Sequence, residues 1–225
     1  MDHTELVLRE ELCRAAQLLY QRGYVVGHDG NLSLRLGEDR ILITPSGVSK
    51  GRLEPDMLVV CDLEGRVLSG ARYPSSETAM HLLVYEERPD AGAVVHAHPP
   101  MATAFAIRRT PLKEPYLTET LSGLGEVPVA PFAMPSTQEV PESIRPFVTH
   151  HSAVLLANHG ALAWGRDLWE AFDRMETVEQ TAKIYAWVQL LGGGEALTRE
   201  QTQGLLALSG RYEHLAGRRE PGKEG

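Results

Sequence analysis

Two histidines at the end of an apolar run, His96 and His98, constrain the fold more than any other feature of the sequence. They close the segment 93–98, AVVHAH, in which the β-branched valines favour a strand. Successive side chains of a strand point to opposite faces, so residues two apart share a face and both imidazoles converge on one point. That spacing suits a divalent metal that takes two nitrogen ligands, and it equally suits a pair of surface histidines.

Short segments of strand character recur along the chain and are separated by turn residues. The segments 31–36 and 41–44 flank the turn 37–39 and predict a hairpin. Apolar runs at 57–62 and 154–158 predict two further strands. Strands that are joined by short turns pair antiparallel, so a largely antiparallel sheet is expected.

Helical periodicity separates these strand segments. Apolar residues recur every three to four positions in 5–22 and in 167–191, which is the longest predicted helix. Shorter helices are predicted at 76–87, at 101–107 and from Thr198, and a serine is placed to cap the first of them.

The segment 110–141 differs from the rest because it contains six prolines. It is predicted to be mostly irregular, with a short strand near 127–130. The chain shows no internal repeat and no linker, and the polar tail from about Gly217 is expected to fray. We therefore expect one α/β domain over residues 1–225, with a central, largely antiparallel sheet flanked by helices.

Charge and composition exclude several classes of function. The sequence has 22 Lys and Arg against 30 Asp and Glu, a net charge of −8, and this acidic balance argues against a nucleic-acid partner. No stretch reaches the roughly 18 apolar residues of a membrane span, and the charged N-terminus is unlike a secretory signal. Two cysteines cannot build a disulfide framework and fit a reducing compartment. The sequence therefore predicts a cytoplasmic globular protein without a membrane partner.

Two further residues are placed to join the histidine pair. His159 directly follows the strand predicted at 154–158, at a point where Gly160 lets backbone segments approach closely. It either completes a set of three ligands or is an ordinary turn histidine. Glu77 stands at a predicted helix start, where it either complements the helix dipole or serves as a metal ligand or acid/base group. His81 lies four residues on, on the same helix face, and is interpreted as a core or supporting histidine.

Three turns of small polar residues have the composition of anion-binding sites. They are Gly30-Asn31 with Ser33, Ser46-Gly47 and Ser75-Ser76. Each offers backbone N–H groups and a hydroxyl or amide, which can hold a phosphate, but each is also an ordinary turn. Lys50 either adds charge to the second turn or is a solvated lysine, and the solvated interpretation is favoured.

Five segments, taken together and in order, resemble the class II aldolase/adducin family, and within it the ketose-1-phosphate aldolases. The helix predicted at 167–191 fits the last long helix of that family. The matching segments are GHDGNLS (27–33), ITPSGVSK (43–50), PSSE (74–77), VVHAHPP (94–100) and NHG (158–160). The resemblance implies a three-layer fold of helices around a central sheet. It also implies a homotetramer with four-fold symmetry and active sites at its subunit interfaces.

The resemblance also implies roles for particular residues. One Zn²⁺ per subunit would be bound by His96, His98 and His159, and Glu77 would act beside the metal both as a ligand and as the catalytic acid/base. The residues implied to bind the phosphate of the substrate are Gly30, Asn31, Ser46, Gly47, Ser75 and Ser76. The implied partner is a phosphorylated sugar.

The reaction that the resemblance implies is zinc-dependent retro-aldol cleavage of a ketose 1-phosphate of the L-fuculose 1-phosphate kind. Its products would be dihydroxyacetone phosphate and an aldehyde such as L-lactaldehyde. The sugar-phosphate 4-epimerases of the family, of the L-ribulose-5-phosphate type, fit less well, because they have Asp where this chain has Glu77. A methylthioribulose-1-phosphate dehydratase or aldolase stays open as an alternative. A non-catalytic scaffold of the adducin kind is disfavoured, because all three histidines are present.

One position departs from the family pattern. The aldolases have a catalytic tyrosine before the stretch GEVPVAP (125–131), and the alignment places Leu117 there, next to Tyr116. Tyr212 is similar to a second tyrosine of the family. Tyr116 and Tyr212 are therefore the catalytic candidates for handling the proton of the substrate's C4 hydroxyl.

Overall fold

A single sheet of eight strands organises the computed structural model, which describes residues 3–216 and the side chains of 3–208. The strands are β1 (Asn31–Arg35), β2 (Arg40–Ile43), β3 (Val59–Asp62), β4 (Val67–Ser69), β5 (Ala93–Ala97), β6 (Val129–Ala130), β7 (Ala153–Leu156) and β8 (Gly160–Gly165). Their order across the sheet is β4-β3-β2-β1-β5-β8-β7-β6. Every neighbouring pair is antiparallel except β6 with β7, which confirms the largely antiparallel sheet.

Helices cover both faces of this sheet. They are α1 (His3–Gln21), α2 (Thr78–Glu87), α3 (Pro100–Ile107), α4 (Thr118–Gly123), α5 (Glu139–Val148), α6 (Leu168–Leu190) and α7 (Arg199–Ala216). Apolar residues of α1, α3 and α6 share one core with one face of the strands. Apolar residues of α2 and α5 share a second core with the opposite face. The protein therefore has three layers, helices on either side of one sheet, as the sequence predicts.

The two cores explain why the strands are apolar on both faces. On β5, Val94 packs in the core beneath α2 and α5, whereas Val95 packs in the core beneath α1, α3 and α6. A strand with a solvated face would alternate apolar and polar residues, but a strand covered on both sides gains free energy from every apolar side chain. All five residues of β5 are buried, so it lies at the centre of the molecule.

The predicted helices at both ends of the chain are present with shifted bounds. In α1, the residues Leu12, Ala15, Ala16 and Leu19 form the buried stripe, and Gly23 follows with a left-handed φ of 71°.

The prediction that a serine caps α2 is wrong. Glu77 occupies the N-cap position and makes no side-chain cap hydrogen bond.

Four elements were not expected from the sequence. The segment 110–141, predicted to be irregular, contains α4, and α5 begins in its last three residues. The helix α5 tolerates Pro141 because the first turn of a helix needs no N–H from that residue. The strand β4 is exposed along its length and lacks an apolar pattern. The strand β8 is rich in glycine and alanine, and it forms because β5 and β7 flank it on both sides.

None of the helices in residues 3–216 has the length and apolar content that crossing a bilayer requires. The tail from Gly217, predicted to fray, lies outside the described residues.

Candidate active site

The register of the central strands places the first histidine of the site. His96 lies on β5, and antiparallel pairing puts Asn31 of β1 opposite it on one side and Leu162 of β8 on the other. His96 is completely buried, whereas His98, just beyond the end of β5, is partly exposed. The pair therefore stands at the end of the strand, between the sheet and the surface.

The third histidine, His159, lies in the turn between β7 and β8. Asn158, which precedes His159, has a left-handed φ of 58°, a conformation that asparagine adopts more readily than most residues. At Gly160 a Cβ atom would lie 2.4 Å from the carbonyl oxygen of Ala97. The lack of a side chain thus lets β8 approach β5 closely enough for the turn to reach the histidine pair.

The three imidazole rings are inclined to one another around one point. The centroids of the rings are 4.7 Å apart for His96 and His159, 4.9 Å for His96 and His98, and 5.1 Å for His98 and His159. His96 donates from Nδ1 to the carbonyl oxygen of Ala161 at 2.9 Å, which leaves Nε2 as an acceptor toward the other rings. His98 Nδ1 lies 3.5 Å from a carboxylate oxygen of Asp29.

Glu77 faces this triad from the start of α2. Its Oε2 lies 3.3 Å from His96 Nε2, and its Oε1 lies 3.4 Å from His159 Nε2. Asn31 donates from Nδ2 to Oε2 at 3.0 Å. The backbone N–H of Glu77 donates to Ser75 Oγ at 3.3 Å, which ties the carboxylate to the serine turn.

Burial and charge determine which groups are ionised. Burial alone would raise the pKa of the Glu77 carboxyl, but His96, His159 and the Asn31 hydrogen bond outweigh it and hold that pKa well below its usual range. Burial, followed by the neighbouring histidines, lowers the pKa of His98 to about 4 and that of His159 to about 4. At neutral pH the site therefore combines an ionised Glu77 carboxylate with the neutral imidazoles of His98 and His159, the forms that bind metals.

The residues present fit a divalent cation. One nitrogen from each of His96, His98 and His159 lies within 4.8 Å of the others. Glu77 Oε1 is buried and has no hydrogen-bond partner, so a carboxylate oxygen is available on the same side. Three imidazole nitrogens with a nearby carboxylate form a ligand set that suits Zn²⁺ and similar ions and leaves a position for substrate.

The three small polar turns meet beside the triad. An isolated bridge between Pro45 and Pro74 brings the second and third turns together. A cavity of about 210 Å³ is lined by Gly30, Asn31, Ser46, Gly47, Ser75, Ser76, Glu77, His98 and His159, among others. All six residues expected to bind phosphate therefore line one cavity with the acid/base candidate.

Two expectations about this cavity are wrong. Lys50 is not solvated, because its Nζ is enclosed and donates to the carbonyl oxygens of His28 at 2.9 Å and Val48 at 3.0 Å. Burial lowers the pKa of Lys50 to about 8, while Asp29 acts in the opposite direction. Ser33 does not join the first turn, because it is fully buried and points away from the cavity toward α2.

The candidate tyrosine Tyr116 is not brought to the triad. Tyr116 packs edge-on against Tyr185, with ring centroids 5.2 Å apart, and does not line the cavity. Leu117 precedes α4 as its N-cap residue. The side chain of Tyr212 lies outside the described part of the structure.

The sequence analysis missed two features of the site. One is the carboxylate of Asp29 beside His98 Nδ1. The other is the set of contacts that His81 makes. His81 is fully buried and bonds Asn31 through Nε2 and Ser33 through Nδ1, so it supports the site without lining it. The HDG turn before β1 was the only local signal for Asp29. Its proximity to His98 depends on the pairing of β1 with β5.

Comparison with known proteins agrees with this architecture. The family described as Class II Aldolase and Adducin N-terminal domain matches residues 10–186. The 3-oxo-tetronate 4-phosphate decarboxylase of Haemophilus influenzae is 36% identical over 190 residues, 83% of this chain and 90% of that protein. The L-fuculose phosphate aldolase of Methanococcus maripaludis is 34% identical over 186 residues, 82% of this chain and 96% of that protein.

A solved structure extends the comparison to three dimensions. The crystal structure of a putative aldolase/epimerase/decarboxylase from Escherichia coli superposes with a TM-score of 0.83 at 33% identity, and covers 90% of this chain and 99% of that one. The chain belongs to the class II aldolase/adducin family. It is an enzyme of the class II aldolase type, and enzymes of this type are generally metal-dependent.

Proposed function

We propose that the protein is a zinc-dependent carbon–carbon lyase that cleaves a phosphorylated α-hydroxy ketone and releases dihydroxyacetone phosphate. The observation that carries this proposal is the position of Glu77. Its carboxylate contacts His96 and His159 and borders the cavity formed by the three polar turns. Cleavage of a phosphorylated ketose needs a proton-transfer group beside both a cation site and a phosphate pocket.

The histidines are proposed to bind one Zn²⁺ per subunit. When bound, zinc supplies Lewis acidity that withdraws negative charge from the ketone oxygen of the substrate. His96 is oriented for this by its hydrogen bond to Ala161, and His98 by the Asp29 carboxylate behind it. Such partners fix the ring orientation and raise the basicity of the ligand nitrogen.

The three turns are proposed to hold the phosphate through backbone N–H groups and hydroxyls. The six lining residues are those that the family resemblance implies: Gly30, Asn31, Ser46, Gly47, Ser75 and Ser76. Lys50 also lines the cavity and supplies positive charge to it. Binding energy from this remote group positions the reacting carbons against Glu77.

Glu77 is proposed to deliver the proton that completes the reaction. Bond cleavage leaves its electron pair on the carbon next to the ketone, and protonation of that carbon gives dihydroxyacetone phosphate. Substrate entry separates the carboxylate from the histidines that hold its pKa low, so the pKa rises toward the working pH. A group in that position contributes about 10²–10⁴-fold to the rate.

Two substrate classes lead to this same product. In retro-aldol cleavage of a ketose 1-phosphate, an aldehyde leaves and a base must take the proton of the C4 hydroxyl. In decarboxylation of a 3-oxo-tetronate 4-phosphate, CO₂ leaves and no such base is needed. The side chains that line the described cavity include no tyrosine. The family resemblance places Leu117 at the position of the catalytic tyrosine. These observations favour decarboxylation as the second candidate.

One assay separates these possibilities. L-fuculose 1-phosphate and 3-oxo-tetronate 4-phosphate are supplied separately, and dihydroxyacetone phosphate is measured by coupled oxidation of NADH. Lactaldehyde released with the first substrate identifies the aldolase, and CO₂ released with the second identifies the decarboxylase. A dehydratase or 4-epimerase forms no dihydroxyacetone phosphate, so its absence with both substrates contradicts the proposal.

We further propose a cytoplasmic homotetramer with active sites at its subunit interfaces. A neighbouring subunit then supplies whatever proton acceptor the aldehyde side of the substrate requires, Tyr116 and Tyr212 being the candidates. Light scattering of the purified protein tests the assembly. A monomer with full turnover would contradict it.

A further inference from the structure

A line of buried polar side chains runs from Glu77 into the layer between β1 and α2. Asn31 Nδ2 lies 3.0 Å from Glu77 Oε2, and Asn31 Oδ1 lies 2.6 Å from His81 Nε2. Ser33 Oγ lies 2.7 Å from His81 Nδ1 and 2.8 Å from the hydroxyl of Tyr85. We call Asn31, His81, Ser33 and Tyr85 the relay. Each of its members is at most 4% exposed.

The relay forms because the residue spacing of a strand, β1, and that of a helix, α2, place polar side chains in the same layer. Asn31 and Ser33 are two residues apart on β1 and therefore share a face. Glu77, His81 and Tyr85 are four apart at the start and along α2, and therefore share a stripe of the helix. Packing α2 against β1 interleaves the two sets, so polar residues from strand and helix alternate along the relay.

The direction of the hydrogen bonds can be worked out from Glu77 outward. Glu77 Oε2 lies 3.0 Å from one end of the Asn31 amide, and only the N–H₂ end of an amide can donate to a carboxylate oxygen. Asn31 must therefore present its N–H₂ group to Glu77. The opposite orientation of the amide would set its carbonyl oxygen against the carboxylate. Asn31 Oδ1 consequently faces His81.

His81 must then donate from Nε2. It is fully buried, and burial, reinforced by the nearby His96, lowers its pKa to about 3, so it carries a single ring proton. With that proton on Nε2, Nδ1 can only accept, and it accepts from the Ser33 hydroxyl. The Ser33 oxygen in turn accepts from Tyr85. One arrangement of protons satisfies every member of the relay.

We infer that His81 is a positioning residue of the active site, whose Nε2–H holds the Asn31 amide in the orientation that donates to Glu77. His81 does not line the cavity, and its hydrogen bond into the site goes to Asn31. Its effect on turnover rests on the proposed acid/base role of Glu77. The tautomer of His81 does not depend on that role.

Two substitutions of similar size distinguish a positioning role of His81 from a role in packing alone. His81→Gln keeps an N–H for Asn31 and a carbonyl oxygen for Ser33, whereas His81→Leu keeps neither. In His81→Leu, kcat is expected to fall about 10–100-fold, the usual effect of removing a residue that supports a metal-site group. The metal content is expected to stay unchanged, because the hydrogen bonds of His81 go to Asn31 and Ser33 and not to the triad. KM is expected to change less than kcat, because Asn31 is the one phosphate-binding residue to which His81 is hydrogen-bonded. His81→Gln is expected to recover most of the turnover.

A matched control loses a buried hydrogen bond elsewhere. Thr181→Val removes the hydroxyl that bonds Thr120 at 2.8 Å, and Thr181 is as deeply buried as the relay. This variant should lose stability but keep kcat.

If His81→Leu does not fold, Ser33→Ala and Tyr85→Phe each remove one hydrogen bond of the relay at a greater distance from Glu77. The loss of kcat is then expected to become smaller as that distance grows. Equal losses in His81→Gln and His81→Leu would overturn the inference.

The tautomer itself is measured without any turnover. In protein labelled with ¹⁵N-histidine, two-bond ¹⁵N–¹H correlation spectra show which ring nitrogen carries the proton, and His81→Gln identifies the signals of His81. The expected result is a neutral Nε2–H form between pH 6 and 8. An Nδ1–H form or an imidazolium overturns the inference. An Nε2–H form in a protein that produces no dihydroxyacetone phosphate supports the relay and contradicts only the proposed reaction.

Discussion

Asn31 and His96 face each other across the antiparallel pair of β1 and β5. One strand register therefore places both the donor to Glu77 and the first histidine of the triad. A slip of one residue between the two strands would put these side chains on opposite faces of the sheet, because the side-chain period of a strand is two. This one pair of strands consequently positions both a histidine of the cation site and the residue that donates to the acid/base group.

Metal content is the first prediction. Protein purified without chelators should contain close to one equivalent of zinc, and the double change His96→Ala with His98→Ala should abolish binding, since one nitrogen ligand remains. Plasma emission spectrometry measures the ratio. His150→Ala, at an exposed histidine, serves as the control and should keep the metal. Retention of zinc by the double variant would refute the assignment.

Glu77→Gln should keep the zinc but lose most turnover. The amide preserves the size of the side chain and cannot transfer a proton, so a loss of about 10²–10⁴-fold is expected. The exchange of dihydroxyacetone phosphate hydrogens with deuterated solvent isolates the proton-transfer step without any aldehyde or CO₂. NMR follows that exchange. Near-normal exchange in the variant would assign the proton transfer to another group.

Ser46→Ala should raise KM for the phosphorylated substrate. Ser46 lines the cavity but does not contact Glu77, so positioning of the acid/base group is unchanged and kcat should fall less than kcat/KM. Initial-rate kinetics check this split, with inorganic phosphate as a competitive inhibitor that should bind more weakly to the variant. Equal cleavage of an unphosphorylated analogue by the unaltered protein would contradict a phosphate pocket.

Gly160→Ala should weaken both metal binding and the fold. The added Cβ would lie 2.4 Å from the carbonyl oxygen of Ala97 and 2.6 Å from His98 Cδ2, so either β8 or the His98 ring must move. Chelator competition measures the metal affinity, and thermal unfolding measures the stability. Gly204→Ala is the control, because its Cβ meets no atom within 4 Å and alanine favours a helix by roughly 0.5–1 kcal/mol. Unchanged affinity in Gly160→Ala would show that the ring has room.

The metal-free protein should lose stability as the pH falls from about 6.5 to about 4. The pKa values of His98 and His159 are lowered to about 4 by burial, whereas an unfolded histidine titrates near 6.5. The unfolded state then takes up protons first, so the free energy of unfolding decreases across that window. Urea titrations at several pH values measure it. A variant with His98→Gln and His159→Gln should show a shallower slope, and an unchanged slope would contradict the assignment.

The sequence predicts the parts of the site that depend on local periodicity. His96 and His98 share a face because they are two residues apart on a strand, whatever the rest of the chain does. The three polar turns were likewise visible one by one, since turn composition is a local property. What joins them is the pairing of strands that are distant in the chain, as between Asn31 and His96.

Other features depend on contacts that no local pattern encodes. Lys50 prefers solvent by its chemistry, and its burial depends in part on the carbonyl oxygen of His28, which is 22 residues away in the chain. The helix α5 begins at the end of the proline-rich segment 110–141, and it forms because one face packs Val140, Ile144 and Val148 into the core. His81 could be placed on the same helix face as Glu77, but its link to Asn31 needs the packing of α2 on β1.

The central position of β5 also sets the order in which the site can be completed. Its two neighbours come from distant parts of the chain, β1 from near the beginning and β8 from the second half. A nascent chain that extends only to Thr149 already contains Glu77, His96 and His98 but lacks the third nitrogen ligand. Tight cation binding would therefore mark molecules in which the last hairpin has docked, and mass action would draw partly assembled chains toward that state.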